Sequence, residues 1–415
     1  MSPRLRPYAL LALLTALNFF NYIDRYVLPA VQEMIKKEFH VNDRELGWLT
    51  GAFFVCYMLA APIVGYLADR MQRRIIVIAG ALLWSGATLL TAITYTYNEL
   101  LLRHVLVGIG EASFVTVAPA LIADSFPEYK RGRMMAIFYM AIPMGTALGL
   151  MLGGVLSRYG WRTPFLVGAV PGVVLALLML LVPEPPRGAA DMMEDSEERG
   201  TLRGLFSNKA YWTATLGMAF MTFAIGALSV WMPTFLVRVR GMSVMKASVI
   251  FGAFTLVTGF GATLFGGWLG DRLLRRTHAA YYLVSAAGLA LGIPAMIGAI
   301  YLTGSAMYPA IFLAEFLLLV NTGPLNAAVV NAVSGKIRAS AVAINLLVIH
   351  LLGDATSPVL VGMISDKTGS LQTAFLAPAA AIGLAVAILL AGAKFAPRLP
   401  QAARDKLAEE EGASA

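Results

Sequence analysis

Gly65-Tyr-Leu-Ala-Asp-Arg-Met-Gln-Arg-Arg74 has a second copy further along the chain, Gly267-Trp-Leu-Gly-Asp-Arg-Leu-Leu-Arg-Arg276. The copies are offset by 202 residues and share Gly65/Gly267, Leu67/Leu269, Asp69/Asp271, Arg70/Arg272, Arg73/Arg275 and Arg74/Arg276. Each follows a long apolar run. One copy alone reads as a charged turn between helices. Two copies in register mark a chain built from parallel repeats, a pattern typical of membrane transporters.

The sequence around these loops is apolar throughout. Of 415 residues, 58% are hydrophobic and only 13% charged, against about 25% charged in soluble domains. Runs of about 20 apolar residues, each able to cross a hydrocarbon core of roughly 30 Å, fall at 8–31, 47–69, 74–96, 100–122, 133–157, 163–182, 211–237, 246–270, 279–302, 307–333, 338–365 and 371–394. The expected fold is an all-α membrane protein of twelve transmembrane helices in two six-helix halves. Residues 1–182 form the first bundle, 183–210 a cytoplasmic linker, 211–394 the second bundle and 395–415 a cytoplasmic tail. The linker opens on Pro183, Pro185 and Pro186, which stop a helix. It continues through Asp191, Glu194, Asp195, Glu197 and Glu198. It ends on Leu202, Leu205 and Phe206 beside Arg203 and Lys209, which suit a short helix on the membrane surface.

Charge sets orientation and removes other classes. With the N-terminus inside, the cytoplasmic segments hold 21 of the 32 Lys and Arg and the outer loops 9, which places both termini inside, in the inner cell membrane. The net charge of +8 is spread over short loops rather than gathered on one face, so no nucleic-acid partner is expected. The single cysteine, Cys56, excludes an internal disulfide, and the lack of an Asn-x-Ser/Thr sequon is compatible with a bacterial source. There is no phosphate-binding loop, no Cys/His cluster with zinc spacing and no nucleophile motif, so neither a cofactor nor an enzyme activity is expected. Gly108-Ile-Gly110 lies mid-helix rather than after a strand. The apolar run after Arg4 and Arg6 is too long for a signal peptide and lacks a small-x-small cleavage site; it reads as a retained first helix.

The first span carries the most expensive residues. Asn18, Tyr22 and Arg25 share one helix face, with Asn21 and Asp24 beside it. A charge at that depth costs on the order of 3 kcal/mol and faces a bundle interior or wet cavity. Asp24 lies roughly 6 Å beyond the midpoint of its span, and Glu111 is at the centre of span four, so the two carboxylates share a depth. Asp24 and Glu111 form a candidate proton site, with Arg25 pairing alternately with them and with an anionic headgroup. A permanent ion-pair network that only packs helices remains open beside it. Glu315, 204 residues after Glu111, is a counterpart near the repeat offset. His350 and Asp354, at i and i+4, form either a second proton site or a structural hydrogen bond. Asn18, Asn21, Tyr22, Arg25, Glu111, Glu315 and Trp231 are candidate substrate contacts. Phe19, Phe20, Tyr22, Tyr26, Trp231 and Phe235 read first as packing residues, and would suit an amphiphile's chain if they line the cavity.

The duplicated loop resembles the signature loop of the major facilitator superfamily, apart from Gln72 where that family usually has Gly. The resemblance implies gating roles for Gly65, Asp69, Arg70, Arg73, Asp271 and Arg272. Pro143-x-Gly145-x3-Gly149-x3-Gly153-Gly154 is similar to the superfamily's glycine-rich fifth helix. Asn21-Tyr-Ile-Asp24-Arg25, Val107-Gly108-Ile-Gly110-Glu111-Ala112-Ser113 and Ile349-His350-Leu-Leu-Gly353-Asp354-Ala-Thr-Ser357-Pro358, continuing to Gly362 and Asp366, together resemble the spinster family of lipid transporters. One position departs: the superfamily pattern has Arg where this chain has His104, preceded by Arg103. Either Arg103 takes over, or His104 does and titrates near neutral pH, or His104 is merely a hydrogen-bonded histidine while Arg103 snorkels.

The expectation is a monomeric, proton-coupled secondary transporter working by alternating access among membrane lipids. Its substrate, on the family resemblance, is a lysolipid or sphingoid-phosphate-like amphiphile. A proton-coupled carrier of small organic anions shares the fold and the Asp-Arg pair. A non-transporting membrane sensor is opposed by the duplicated gating loops.

Overall fold

The computed structural model describes residues 5–186, 203–333 and 337–397. The acidic run from Asp191 to Glu198, Leu202 and the tail beyond 397 lie outside the described residues. The helices are α1 (Arg6–Phe39), α2 (Asp43–Ala68), α3 (Arg73–Thr91), α4 (Tyr97–Ser125), α5 (Glu128–Tyr139), α6 (Ala141–Leu156), α7 (Thr163–Leu178), α8 (Arg203–Phe206), α9 (Lys209–Arg238), α10 (Val244–Leu274), α11 (Ala280–Tyr301), α12 (Met307–Leu319), α13 (Thr322–Asn331), α14 (Arg338–Ile349), α15 (Ser357–Thr368), α16 (Leu371–Ala374) and α17 (Leu376–Gly392). No strand occurs among the described residues. Among the described residues, eleven segments are long and apolar enough to cross a membrane. The twelfth is α1, whose hydropathy is lowered by Asn18, Asn21, Asp24 and Arg25. It is a multi-pass membrane protein.

Local sequence explains where helices begin and where spans break. Asn42 with Glu45 and Thr96 with Glu99 form reciprocal capping boxes that start α2 and α4. Four of the described spans are interrupted, and in each the residue four positions before a proline borders or lies within the break. α5 stops at Tyr139 before Pro143, and α12 gives way at Val320 before Pro324. The helix widens into a π turn over His350–Asp354 before Pro358, and α16 stops at Ala374 before Pro378. A proline withholds the N–H that would bond to that carbonyl, and its ring crowds it. Pro29, Pro62, Pro119, Pro171, Pro233 and Pro294 lie within unbroken helices, so proline permits a break without forcing one. α8 spans four residues of the linker, with Leu205 buried and Phe206 exposed.

The chain packs as two compact units. One holds Met1–Ser196, Ser229–Leu256 and Pro358–Leu371; the other holds Glu197–Leu228, Val257–Ser357 and Gln372–Ala415. In the first, α1 lies hard against α6. A Cβ on Gly149 would stand 2.6 Å from the Ile23 carbonyl oxygen, so only glycine allows this approach. Leu14 and Leu17 of α1, Trp84 of α3, Phe114 of α4 and Phe138 of α5 are fully buried in the same unit. In the second unit, α11 packs on α12 and α17, and Tyr211, Tyr282 and Phe375 are buried. Leu59, Ile63, Leu181 and Leu264 are exposed, as a lipid-facing surface requires.

Candidate functional site: a buried carboxylate–arginine centre

The rotation of α1 set by the glycine contact points its polar stripe into the first unit. Arg25 reaches α4 and donates from Nε (3.1 Å) and Nη2 (2.5 Å) to Oε2 of Glu111. Glu111 is 0% exposed. The guanidinium also lies over the rings of Tyr22 (4.7 Å), Phe53 (4.9 Å), Phe54 (5.6 Å) and Tyr57 (5.8 Å). Aromatic faces stabilise a desolvated cation by about 0.5–2 kcal/mol each. Sequence reading missed the three α2 rings, although Phe53-Phe54-x-x-Tyr57 places them along one helix face.

Asp24 makes no hydrogen bond to Arg25's partner. Its carboxyl is 6% exposed and neither oxygen has a hydrogen-bond partner. It is an electrostatic neighbour of Glu111 without bonding to it. On its other side stands Gly168 of α7, where an added Cβ would lie 2.5 Å from Asp24 Oδ1. Asp24 and Arg25 line a cavity of about 30 Å3 with Thr88, Thr91, His104 and Phe165. Asn21 is buried beside Glu111, but its amide atoms and Glu111 Oε1 lack partners of good hydrogen-bond geometry.

The other candidates are placed as follows. Asn18 donates to the Phe138 carbonyl (3.0 Å), tying α1 to α5. Tyr22 stacks on Tyr26 at 6.5 Å. Trp231 is 0% exposed and its indole N–H donates to the Pro358 carbonyl at 3.0 Å. In the second unit, Glu315 is buried in α12, and His350 Nδ1 lies 2.7 Å from Asp354 Oδ2 within the π turn. The structure therefore brings Asp24, Arg25, Asn21, Tyr22 and Glu111 together, while Asn18 and Trp231 bond to backbone carbonyls of α5 and α15.

The duplicated loop is also built in detail. Gly65 receives the N–H of Asp69, which closes α2, and Arg70 stacks on Tyr66 at 3.5 Å. Arg73 donates to Asp124 Oδ2 (2.5 Å), to Glu184 Oε1 (3.1 Å) and to the Pro185 carbonyl (3.3 Å). In the second copy Tyr281 donates to Asp271 (2.8 Å), and Arg272 stacks on Trp268 at 5.5 Å. The arginine-on-aromatic pair thus repeats at the same offset of 202 residues. Asp124 and Glu184, the partners of Arg73, carry no signal in the loop sequence itself.

A second ionic cluster in the first unit was not anticipated. Arg238, the last residue of α9, donates to both oxygens of Asp43 (2.6 and 2.9 Å) and to Glu33 Oε2 (2.8 Å). Lys36 (2.5 Å) and Ser365 (2.5 Å) also donate to Asp43. Asp366 accepts from the backbone N–H groups of Asp43 (2.9 Å) and Arg44 (2.8 Å). Gln32 donates to Thr234 at 2.8 Å beside them. The cluster ties α1, α2, α9 and α15 at the ends that charge distribution assigns to the outside.

Comparison with known proteins agrees with this architecture. Residues 14–353 match the Major Facilitator Superfamily. The chain is similar to "Protein spinster homolog 3" of Danio rerio, with 36% identity over 89% of this chain and 78% of that protein. It is similar to "Sphingosine-1-phosphate transporter SPNS2" of Xenopus tropicalis at 37% identity over 84% and 72% of the two chains. Among solved structures it resembles a bacterial homologue of the human lysosomal transporter spinster in an inward-facing, unoccupied conformation. The TM-score is 0.82 at 27% identity, covering 95% of this chain and 97% of that one. The chain is a transporter rather than an enzyme, and it belongs to the spinster family of the major facilitator superfamily.

Proposed function

We propose that this protein is a proton-coupled secondary transporter of an amphiphilic anion, a lysolipid or sphingoid phosphate, working by alternating access in the inner membrane with both termini cytoplasmic. One observation carries the reading: a part-buried guanidinium, that of Arg25, is held by one buried carboxylate, Glu111, with a second buried carboxyl, Asp24, beside it and bonded to neither. Protonating Glu111 frees Arg25 for an anionic headgroup. Burial of the centre keeps its charge interactions strong, so proton binding and headgroup binding compete for the same cation.

The rings around Arg25 suit the apolar part of an amphiphile next to its charged end, and the name of the Xenopus tropicalis relative points to that substrate class. The ionic cluster around Asp43 acts as an outer latch, and Arg73 with Asp124 and Glu184 as its inner counterpart. A small organic anion needs the cation and the coupling but not the apolar surroundings.

Uptake into liposomes with an imposed pH gradient tests the reading. The probes are fluorescent lysophosphatidylglycerol, sphingosine phosphate and a dicarboxylate. Lipid uptake that collapses without the gradient and in Arg25→Ala is expected. Gradient-driven uptake retained by both Asp24→Asn and Glu111→Gln sinks the proton assignment, and uptake of the dicarboxylate alone replaces the substrate class.

A further inference from the structure

The centre described above does not use His104, yet His104 lines the same cavity as Asp24. The histidine is 8% exposed, in α4, with its ring edge-on to Phe165 at 6.3 Å. Its Nδ1 lies 3.0 Å from the Leu100 carbonyl oxygen. A carbonyl can only accept, so Nδ1 carries the hydrogen and Nε2 is left with the lone pair. A purely structural histidine is satisfied by that one bond. This one shares a cavity of about 30 Å3 with a carboxyl whose two oxygens have no hydrogen-bond partner. Such a volume accommodates a water or two, each needing roughly 10–15 Å3 and several polar partners. Asp24, His104 and the hydroxyls of Thr88 and Thr91 supply those partners.

We propose that the pocket is a hydrated relay site in which His104 and Asp24 exchange a proton through water; this rests on the proton-coupled reading given above. In the step, Nε2 of His104 takes a proton while Nδ1–H stays on Leu100. The imidazolium then returns the Nε2 proton to a pocket water, which releases one of its own to an Asp24 oxygen. The histidine ends neutral and the carboxyl protonated, with charge and atoms conserved. The ionisable groups facing the pocket are Asp24 and Arg25 from α1 and His104 from α4, with Glu111 the electrostatic neighbour of Asp24. The walls from α2, α3 and α7 present only uncharged side chains, Thr50, Thr88 and Phe165 among them. Arg25 is held by Glu111, which leaves His104 as the pocket's one exchangeable base besides Asp24.

The test uses the full chain in lipid nanodiscs with isotope-labelled histidine. The chain has four histidines, and the His104 signal is identified by its loss in His104→Gln. A ring with its hydrogen on Nδ1, titrating between about pH 4 and 8, is expected. Asp24→Asn is expected to displace that midpoint by about one pH unit, as a nearby charge does. In liposomes, His104→Gln is expected to slow gradient-driven uptake of fluorescent lysophosphatidylglycerol about tenfold. A His104 signal that does not titrate, or a midpoint indifferent to Asp24→Asn, overturns the relay. So does wild-type uptake in His104→Gln. If Asp24→Asn and Glu111→Gln both keep gradient-driven uptake, the proton-coupled reading fails, while the histidine titration still decides whether the two groups share a hydrated pocket.

Discussion

Asp24 and Arg25 are adjacent in the chain and line one cavity, yet only Arg25 is bonded to a carboxylate. Arg25 reaches Glu111 with Nη2 2.5 Å from Oε2, while Asp24 faces Gly168 and the cavity it shares with His104. Successive residues on an α-helix point about 100° apart, so one helix makes an ion pair across to α4 with Arg25 and brings the Asp24 carboxyl up to Gly168 of α7.

Removing the cation leaves Glu111 charged and buried. Arg25→Ala is therefore expected to cost about 3–5 kcal/mol, seen as a lower unfolding temperature in detergent micelles. Arg25→Lys keeps the charge but loses the two-pronged contact and the stacking on the rings. It is expected to fold near normally and to bind an anionic headgroup at least about tenfold more weakly. Equal headgroup binding by Arg25→Lys and the parent protein counts against the cage.

Gly168→Ala tests the placement of Asp24. The new methyl would stand 2.5 Å from Oδ1, so the carboxyl must move. A loss of about 1–3 kcal/mol is expected from overpacking, with a changed pH profile for uptake. Gly86→Ala is the matched control, because a Cβ at Gly86 in α3 meets nothing within 4 Å. That change is expected to be neutral or to stabilise by up to about 1 kcal/mol. Identical behaviour of the two variants argues against the Asp24 orientation.

The outer latch predicts side-specific accessibility. Arg238 holds Asp43 and Glu33 together beside Thr234. In a Cys56→Ser background, Thr234→Cys is expected to react slowly with an impermeant maleimide added outside right-side-out vesicles. Adding Arg238→Ala is expected to speed that reaction about tenfold, the equivalent of about 1.4 kcal/mol taken from the closed state. Unchanged labelling removes Arg238 from the latch.

The start of α2 offers a stability test independent of transport. A helix leaves its first four N–H groups without internal partners. Here Glu45 takes the Asn42 N–H, Asp366 takes those of Asp43 and Arg44, and Asn42 takes that of Glu45. Two donors are thus satisfied by a residue more than 320 positions away. Asp366→Ala is expected to destabilise by about 1–2 kcal/mol in thermal unfolding. Asp366→Asn, which keeps one acceptor oxygen, is expected to recover part of that loss.

Much of this was already in the sequence, because it depends on local rules. Apolar runs of span length and the loop repeated 202 residues on are read directly from residue order. The choice of Asp24, Arg25 and Glu111 as candidates followed from the cost of charge in an apolar segment. Tertiary structure alone decided their partners: Arg25 with Glu111 86 residues on and with the α2 rings, Arg238 with Asp43 195 residues away, and Asp24 with a pocket shared by His104. The physical reason lies in the solvent. A helix in lipid is apolar on its outer face as well as its inner one, so hydropathy does not reveal which way it is turned. That rotation is set by packing, here by α6 glycines that let α1 approach until Gly149 meets the Ile23 carbonyl.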